Sequence, residues 1–240
     1  MFLSHFGGYV SVTYAPVGIK AWVRWPHLAP TRKDTTTVST LILLRHGQSA
    51  WNAENRFTGW VDVPLSEAGR AEAKRAGERL AREGYEVSKA YTSTLRRAIE
   101  TGRIVLEVLG QGGLPQEQAW ELNERFYGAL TGRNKAQTAE EFGASQVHVW
   151  RRSYDVAPPG GESLKDTARR TIPYFERAIV PATRTHEVVL VSAHGNSLRS
   201  IVKDLDDLDD DAVATLEIAT GVPLIYDMRD GRPVGKRILE

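Results

Sequence analysis

Thr40-Leu41-Ile42-Leu43-Leu44-Arg45-His46-Gly47 is an apolar run that ends in an arginine, a histidine and a glycine. Late in the chain, Glu187-Val188-Val189-Leu190-Val191-Ser192-Ala193-His194-Gly195 has the same design. Short runs with no polar alternation are strands buried on both faces, the interior of a parallel sheet. In such sheets ligands collect beyond the carboxyl ends of the strands, where strand order reverses. Each histidine stands at that place. Each is followed by a glycine that lets the backbone turn sharply and approach a ligand. One such histidine is most simply a satisfied core residue. Two at equivalent strand ends point two imidazoles into one cleft.

Working outward, the segments between these runs read as helices and further strands. Ser66 caps a helix that continues to about residue 83, with Gly84 closing it. Residues 87–92 form a strand. Residues 94–109 form a helix, with Leu95, Ala98, Ile99, Val105, Leu106 and Leu109 at helical spacing. Residues 134–155 are helical in two pieces around Gly143, and Pro158-Pro159-Gly160-Gly161 is a firm break. Ser163, with Asp166 three residues on, opens a helix over 162–182 that Pro173 should disturb. A helix over 196–206 follows the second histidine, and strands over 222–228 and 231–238 pair through Asp230-Gly231. Strands separated by helices predict an α/β fold. We expect a three-layer sandwich, with a mostly parallel central sheet and helices on both faces.

The composition of the 240 residues narrows the function. There is no cysteine, which excludes a cystine scaffold, a thiol nucleophile and a thiolate metal site. The formal net charge of +1 gives no electrostatic case for nucleic acid, and no apolar stretch is long enough for a membrane span. Residues 1–37 are basic, with Lys20, Arg24, Arg32 and Lys33 against Asp34, so the rest of the chain is slightly acidic. This leader lacks the apolar core of a signal peptide and is only moderately like a transit peptide. It is expected to be a disordered leader, or an upstream extension of a chain that starts near Val38. The domain proper is then 38–240.

Arginines gather near the two histidines. Arg45 precedes the first, Arg96-Arg97 opens the helix after the second strand, and Arg151-Arg152 is a further pair in an acidic body. A helix N-terminus beside guanidinium groups is an anion site. A neutral imidazole attacks phosphorus and holds the phosphoryl group covalently. Arginines and a second histidine stabilise the equatorial charge, and a carboxyl such as Glu124 moves the proton. Guanidinium groups stand in for Mg²⁺, so no metal is expected. There is no His-x-x-x-His or His-x-His pair. The acidic run 204–211 fails the calcium-loop pattern at Leu208. Gly110-Gln111-Gly112-Gly113 follows a helix instead of opening one, so it is no dinucleotide loop.

The string Leu43-Leu44-Arg45-His46-Gly47-Gln48-Ser49-Ala50-Trp51-Asn52, then Asn55-Arg56-Phe57-Thr58-Gly59-Trp60, resembles the signature of the 2,3-bisphosphoglycerate-dependent phosphoglycerate mutases of the histidine phosphatase superfamily, in their short form. Tyr91-Thr92-Ser93, the Arg97 region, Asn123-Glu124-Arg125-Phe126-Tyr127-Gly128, Trp150-Arg151-Arg152, Ala193-His194-Gly195-Asn196-Ser197 and Thr220-Gly221-Val222-Pro223 extend it over residues 40–240. The resemblance implies His46 as the phosphorylated nucleophile, Glu124 as proton donor and acceptor, and His194 as transition-state stabiliser. Arg45 and Arg97 would clamp the phosphoryl group, with Ser49, Asn52, Gly195 and Asn196 nearby. Lys135, Arg151 and Arg152 would hold the second anionic group of the substrate, closed over by Tyr127, Thr58 and Gly59.

The implied reaction interconverts 3-phosphoglycerate and 2-phosphoglycerate in glycolysis and gluconeogenesis, primed by 2,3-bisphosphoglycerate. The enzyme would be cytoplasmic, with a small phosphorylated anion as its partner. Its assembly stays open between homodimer and homotetramer. Two departures stand out: Phe126 replaces a histidine common in the family, and the chain lacks a loop near Pro159 and a long C-terminal tail. These touch closure and subunit contacts. A histidine-type phosphomonoesterase on the same site is the alternative reading.

Overall fold

The computed structural model describes residues 38–240, together with the backbone of three short strands before them. The chain divides into two units between Thr36 and Thr37. In the first unit β1 (Leu3–Phe6), β2 (Tyr9–Tyr14) and β3 (Ile19–Arg24) pair antiparallel in the order β1-β2-β3. The expectation of a disordered leader falls on residues 1–37, and all of these but the three strands lie outside the described residues.

The second unit is built on β4 (Ser39–Arg45), β5 (Lys89–Thr92), β6 (Gln116–Gln118), β7 (Val188–Ala193), β8 (Pro223–Arg229) and β9 (Arg232–Ile238). They form one sheet in the order β6-β5-β7-β4-β8-β9. The first four are parallel, and β8 and β9 run antiparallel to their neighbours. The sheet is therefore mixed, with a parallel half that carries the histidines. Strand β5 is shorter than the predicted 87–92. Gln111 takes Val87 out of the ladder: its side-chain amide accepts from the Val87 N–H at 2.9 Å and donates to the Val87 carbonyl at 2.8 Å.

The side chains of β4 alternate between two cores. Ile42 and Leu44 face α2 (Glu67–Arg82) and α3 (Arg96–Val108), packing with Ala76, Leu80, Val105 and Leu106. Leu41 and Leu43 face the other way, with Phe175, Ile179, Leu198 and Ile201. That second layer consists of α6 (Leu164–Tyr174), a π turn (Phe175–Ile179), α7 (Val180–Thr185) and α8 (Gly195–Leu205). Each leucine or isoleucine so buried stabilises the fold by about 1.5–3 kcal/mol. The expected three layers are present.

The predicted caps are in place. Ser66 Oγ accepts from Gly69 N, and Ser163 and Asp166 form a reciprocal capping box. Pro173 lies inside α6, and the helix loosens just after it into the π turn. Proline at 173 and at 181 denies the ladder two N–H donors. A smaller cluster of Phe57, Leu130 and Val147 underlies α4 (Lys135–Phe142) and α5 (Ala144–Arg152), the two pieces that meet at Gly143. The remaining short helices are α1 (Ala50–Ala53) and α9 (Asp210–Thr215).

This topology positions the site. β4 and β7 are parallel neighbours in a register that sets Arg45 opposite Ala193. Helix α2 covers one face and α8, which follows β7, covers the other. Their carboxyl ends therefore bracket the crevice at the switch point.

Candidate active site

His46 and His194 leave adjacent strand ends one residue beyond the ladder, where the His46 N–H donates to the Ala193 carbonyl at 3.0 Å. Their rings meet edge to face, with centroids 4.8 Å apart. Both are buried. His46 Nδ1 lies 2.6 Å from the Gly47 carbonyl. A carbonyl only accepts, so Nδ1 carries the hydrogen and Nε2 keeps its lone pair. Burial holds the His46 imidazole well below the usual histidine range, and the charges of Arg97 and Arg45 add to this. The neutral ring therefore has a lone pair on Nε2 with which it could act as a nucleophile.

The loop that carries it is pinned from behind. A Cβ on Gly47 would stand 2.1 Å from the Gly69 carbonyl oxygen of α2, and one on Gly69 would stand 2.0 Å from the Gln48 oxygen. Only two glycines allow backbone and helix to come this close.

His194 is wired differently. Its Nε2 shares a hydrogen with Ser93 Oγ at 2.7 Å, and Ser93 Oγ accepts from the Leu95 N–H. Burial depresses its pKa too, followed by the charge of Arg97 and the nearness of His46.

Two arginines flank this pair. Arg45 donates through Nη1 to the Ile218 carbonyl at 2.8 Å. Arg97, buried on the first turn of α3, donates to the carbonyls of Val61 and Gly59 at 2.9 and 2.7 Å. Gly59 turns its carbonyl this way from a backbone with φ of 56°, a region other residues rarely adopt. Burial pulls the Arg97 pKa down to about 10, which leaves it charged at neutral pH.

Glu124 faces the same space from the loop after a short turn at Trp120–Leu122. Its Oε1 accepts from Arg125 N at 2.7 Å and from Asn196 Nδ2 at 2.7 Å. Burial pushes its pKa up. Those two hydrogen bonds and the charges of Arg45 and Arg97 outweigh burial, and the carboxyl ends below its ordinary value. The first turn of α8 points its N–H groups here, with Asn196 N reaching Glu124 Oε1 at 3.3 Å. Tyr127 closes one side. Burial raises its phenol, but Arg125 foremost pulls it below the ordinary value.

His46, Arg45, Arg97, Glu124, Tyr127 and Asn196 open on one cavity of about 190 Å³. The sequence-predicted residues Arg45, His46, Asn52, Thr58, Gly59, Arg97, Glu124, Tyr127, Lys135, Arg151, Arg152, Gly195 and Asn196 line it. Lys135 comes from α4 and the arginine pair from α5. Lys135 is pulled below the ordinary lysine value, first by burial and then by its cationic neighbours Arg151 and Arg45. Two expected residues lie off the wall. His194 backs His46. Ser49 caps α1: its Oγ accepts from Asn52 N, and the Asn52 Oδ1 accepts in turn from Ser49 N, so Ser49 fixes Asn52 instead of touching the cavity.

Five lining residues went unpredicted: Arg56, Phe57, Arg199, Glu217 and Ile218. Arg199 had a signal, because it follows Gly195 and Asn196 at helical spacing. Glu217 had none. It arrives from the loop after α9 and pairs with Arg152 and Arg199. Phe126 points away from the cavity and packs on Trp60 at 5.7 Å. Among the described residues no group of three metal-type ligands occurs, and no helix is long and apolar enough to cross a membrane.

The wall has a further property. Among the described residues, buried nitrogens of Arg45, Arg97 and Arg152 and the Thr58 hydroxyl have no hydrogen-bond partner. Unpaired buried donors around one cavity are suited to an anion with many acceptor oxygens.

Comparison with known proteins agrees with this chemistry. Residues 41–239 match the histidine phosphatase superfamily (branch 1). A 2,3-bisphosphoglycerate-dependent phosphoglycerate mutase of Parvibaculum lavamentivorans is 54% identical over 200 residues, 83% of this chain and 95% of the relative. The phosphoglycerate mutase of Schizosaccharomyces pombe is 50% identical, with the same shares covered. Among solved structures, Bacillus stearothermophilus YhfR superposes with a TM-score of 0.71 at 32% identity, covering 81% of this chain and 94% of that one. A mycobacterial glucosyl-3-phosphoglycerate phosphatase complexed with VO3 does so with a TM-score of 0.69 at 28% identity, covering 78% and 92%. The chain belongs to the 2,3-bisphosphoglycerate-dependent phosphoglycerate mutases of the histidine phosphatase superfamily.

Proposed function

We propose that this protein interconverts 3-phosphoglycerate and 2-phosphoglycerate through a phosphohistidine on His46, primed by 2,3-bisphosphoglycerate. The observation that carries the reading is a free imidazole Nε2 beside a cavity with two cationic sets. Arg45 and Arg97, at the strand ends, suit the phosphoryl group in transit. Lys135, Arg151 and Arg152, on α4 and α5, suit a second anionic group. A simple phosphomonoesterase needs only the first set.

The residues fit a doubly phosphorylated anion on the evidence of their unpartnered donors. When bound, 2,3-bisphosphoglycerate supplies the phosphoryl group that primes His46. On the phosphorylated enzyme, a hydroxyl oxygen of phosphoglycerate attacks phosphorus. The bond to His46 breaks, its electron pair returns to Nε2, and Glu124 takes the hydroxyl proton. In the return direction His46 attacks the other phosphoryl group and Glu124 gives the proton to the leaving oxygen.

Glu124 is suited to both duties. In the protein alone, the hydrogen bonds from Arg125 N and Asn196 Nδ2, helped by the charges of Arg45 and Arg97, keep it ionised. A bound phosphoryl group offsets those charges and lets the carboxyl rise. Arg45 and Arg97 face the charge spread over the equatorial oxygens, and the Nδ1 of His194, unpartnered among the described residues in the ring that touches His46, is available to support it. Because guanidinium groups neutralise that charge, turnover is expected to survive EDTA. The reading carries with it a cytoplasmic enzyme, assembled as a homodimer or homotetramer.

The test is a coupled assay of 3-phosphoglycerate conversion, with and without catalytic 2,3-bisphosphoglycerate, in EDTA, with free phosphate followed in parallel. Bisphosphate-dependent isomerisation with little phosphate release supports the mutase. Phosphate release without isomerisation replaces it with the phosphomonoesterase, the activity named for some of the solved structures that this chain resembles.

A further inference from the structure

Glu124 stands on a loop, and a proton donor on a loop needs something to hold it. Arg169 and Arg170 are adjacent on α6 and chemically identical, yet their surroundings differ. The Arg169 side chain is 68% exposed and pairs with Asp166, one turn away on the same helix. The Arg170 side chain is 8% exposed. Its Nη1 donates to the carbonyls of Glu121 and Asn123, at 2.8 and 2.9 Å. Its Nη2 donates to the carbonyl of Glu124 itself, at 3.0 Å. The fork is locked by Glu162, with Nε on Oε1 and Nη2 on Oε2, both at 2.9 Å.

Glu162 also reaches past Glu124. Its Oε2 accepts from Phe126 N at 2.9 Å. One partly buried ion pair therefore grips the chain before Glu124, at Glu124 and after it. Trp60 completes the grip: its indole N–H donates to the same Glu124 carbonyl, and the Arg170 guanidinium lies over its ring at 5.5 Å. Neither Arg170 nor Glu162 lines the cavity.

We propose that Arg170, locked by Glu162, is a positioning residue for Glu124: it sets where the carboxylate stands relative to the phosphoryl group on His46. This rests on the reading of Glu124 as the proton donor and acceptor. A planar five-donor fork that meets three carbonyls and a bidentate carboxylate defines the loop far more tightly than a lysine would. Displacing a general acid by a fraction of an ångström weakens only the step in which it moves a proton.

That selectivity makes the test. Arg170→Met and Arg170→Lys would be compared with the wild type on two phosphoryl donors. One is 3-phosphoglycerate with 2,3-bisphosphoglycerate, whose alkoxide leaving group needs a proton. The other is p-nitrophenyl phosphate, whose leaving group does not. Arg170→Met is expected to lower kcat on the first by about 100-fold with little change in KM, and the single-turnover release of nitrophenolate from the second, which needs no proton from Glu124, by less than about threefold. Arg170→Lys should recover about tenfold of the loss. Glu162→Gln, which keeps the packing, should show the same selectivity in weaker form.

Equal losses on both donors, with a lowered melting temperature, would mean that the ion pair only supports the fold and would overturn the proposal. So would unchanged kcat on phosphoglycerate. If the wild type hydrolyses phosphomonoesters without isomerising, the mutase reading falls by itself. The proposal is then read on glycerol phosphate against p-nitrophenyl phosphate, with the same expected contrast.

Discussion

His46 and His194 occupy equivalent positions, each following a buried parallel strand and preceding a glycine, and yet they are not equivalent. Their rings touch, and both are held neutral by burial and by the same arginines. The difference lies in the second ring nitrogen. His46 spends its Nδ1 hydrogen on its own neighbour's carbonyl and keeps Nε2 for the cavity. His194 has Nε2 engaged by Ser93 and stays behind the wall. Topology puts an imidazole at the site, and the partner of its far nitrogen decides what it does there.

The sharpest break of this comparison is the pair of asparagine variants. His46→Asn should lose more than about 10⁴-fold in turnover and take no phosphoryl label from 2,3-bisphosphoglycerate. His194→Asn should lose about 10²- to 10³-fold, the scale of one transition-state donor, while still taking label slowly. Equal labelling by the two variants would contradict the division of roles.

A smaller effect is thermal. Unfolded histidine titrates near 6.5, and both rings titrate well below that in the fold. Below about pH 6.5 the unfolded chain takes up protons that the folded chain refuses. The contribution of the two neutral rings is complete above that pH and is lost as pH falls towards the folded-state values. Each ring costs about 1.4 kcal/mol per pH unit in that window. Melting temperature should therefore drop as pH falls from about 6.5 to 5, and each asparagine variant should flatten the slope by one ring's share. A slope unchanged in His46→Asn would mean that His46 is protonated in the folded protein.

The mildest test is Ser93→Ala. It frees the His194 Nε2 and should cost about tenfold in turnover with labelling of His46 intact, measured by single-turnover kinetics. If labelling fails as well, Ser93 reaches His46 through the touching rings and the two histidines act as one unit.

Much of this was readable beforehand, and the exceptions have physical causes. The strands carrying the histidines are continuous apolar runs, which sequence marks strongly. Strand β6 was not expected. Gln116-Glu117-Gln118 is three polar residues at a sheet edge, and it joins the sheet by backbone pairing with β5, which leaves no hydrophobic trace. Ser49 matched a family pattern, but pattern does not say whether a serine faces ligand or caps a helix. Glu217 and Arg170 belong to the same class. Their meaning comes from partners far away in the chain, such as Arg152 and the Glu121–Glu124 carbonyls. Arg170 looks like half of a surface pair until its burial is known.

The order β6-β5-β7-β4 has a consequence for how the protein is made. On the ribosome β4 and β5 emerge early, but they are not neighbours, because the place between them belongs to β7, which emerges much later. Until then each presents an open strand edge to the gap, the kind of surface that recruits stray chains. The nascent protein thus carries His46 long before it has a pocket. Arrival of β7 fills the slot and brings His194 against His46, so completion of the sheet and completion of the histidine pair are a single event.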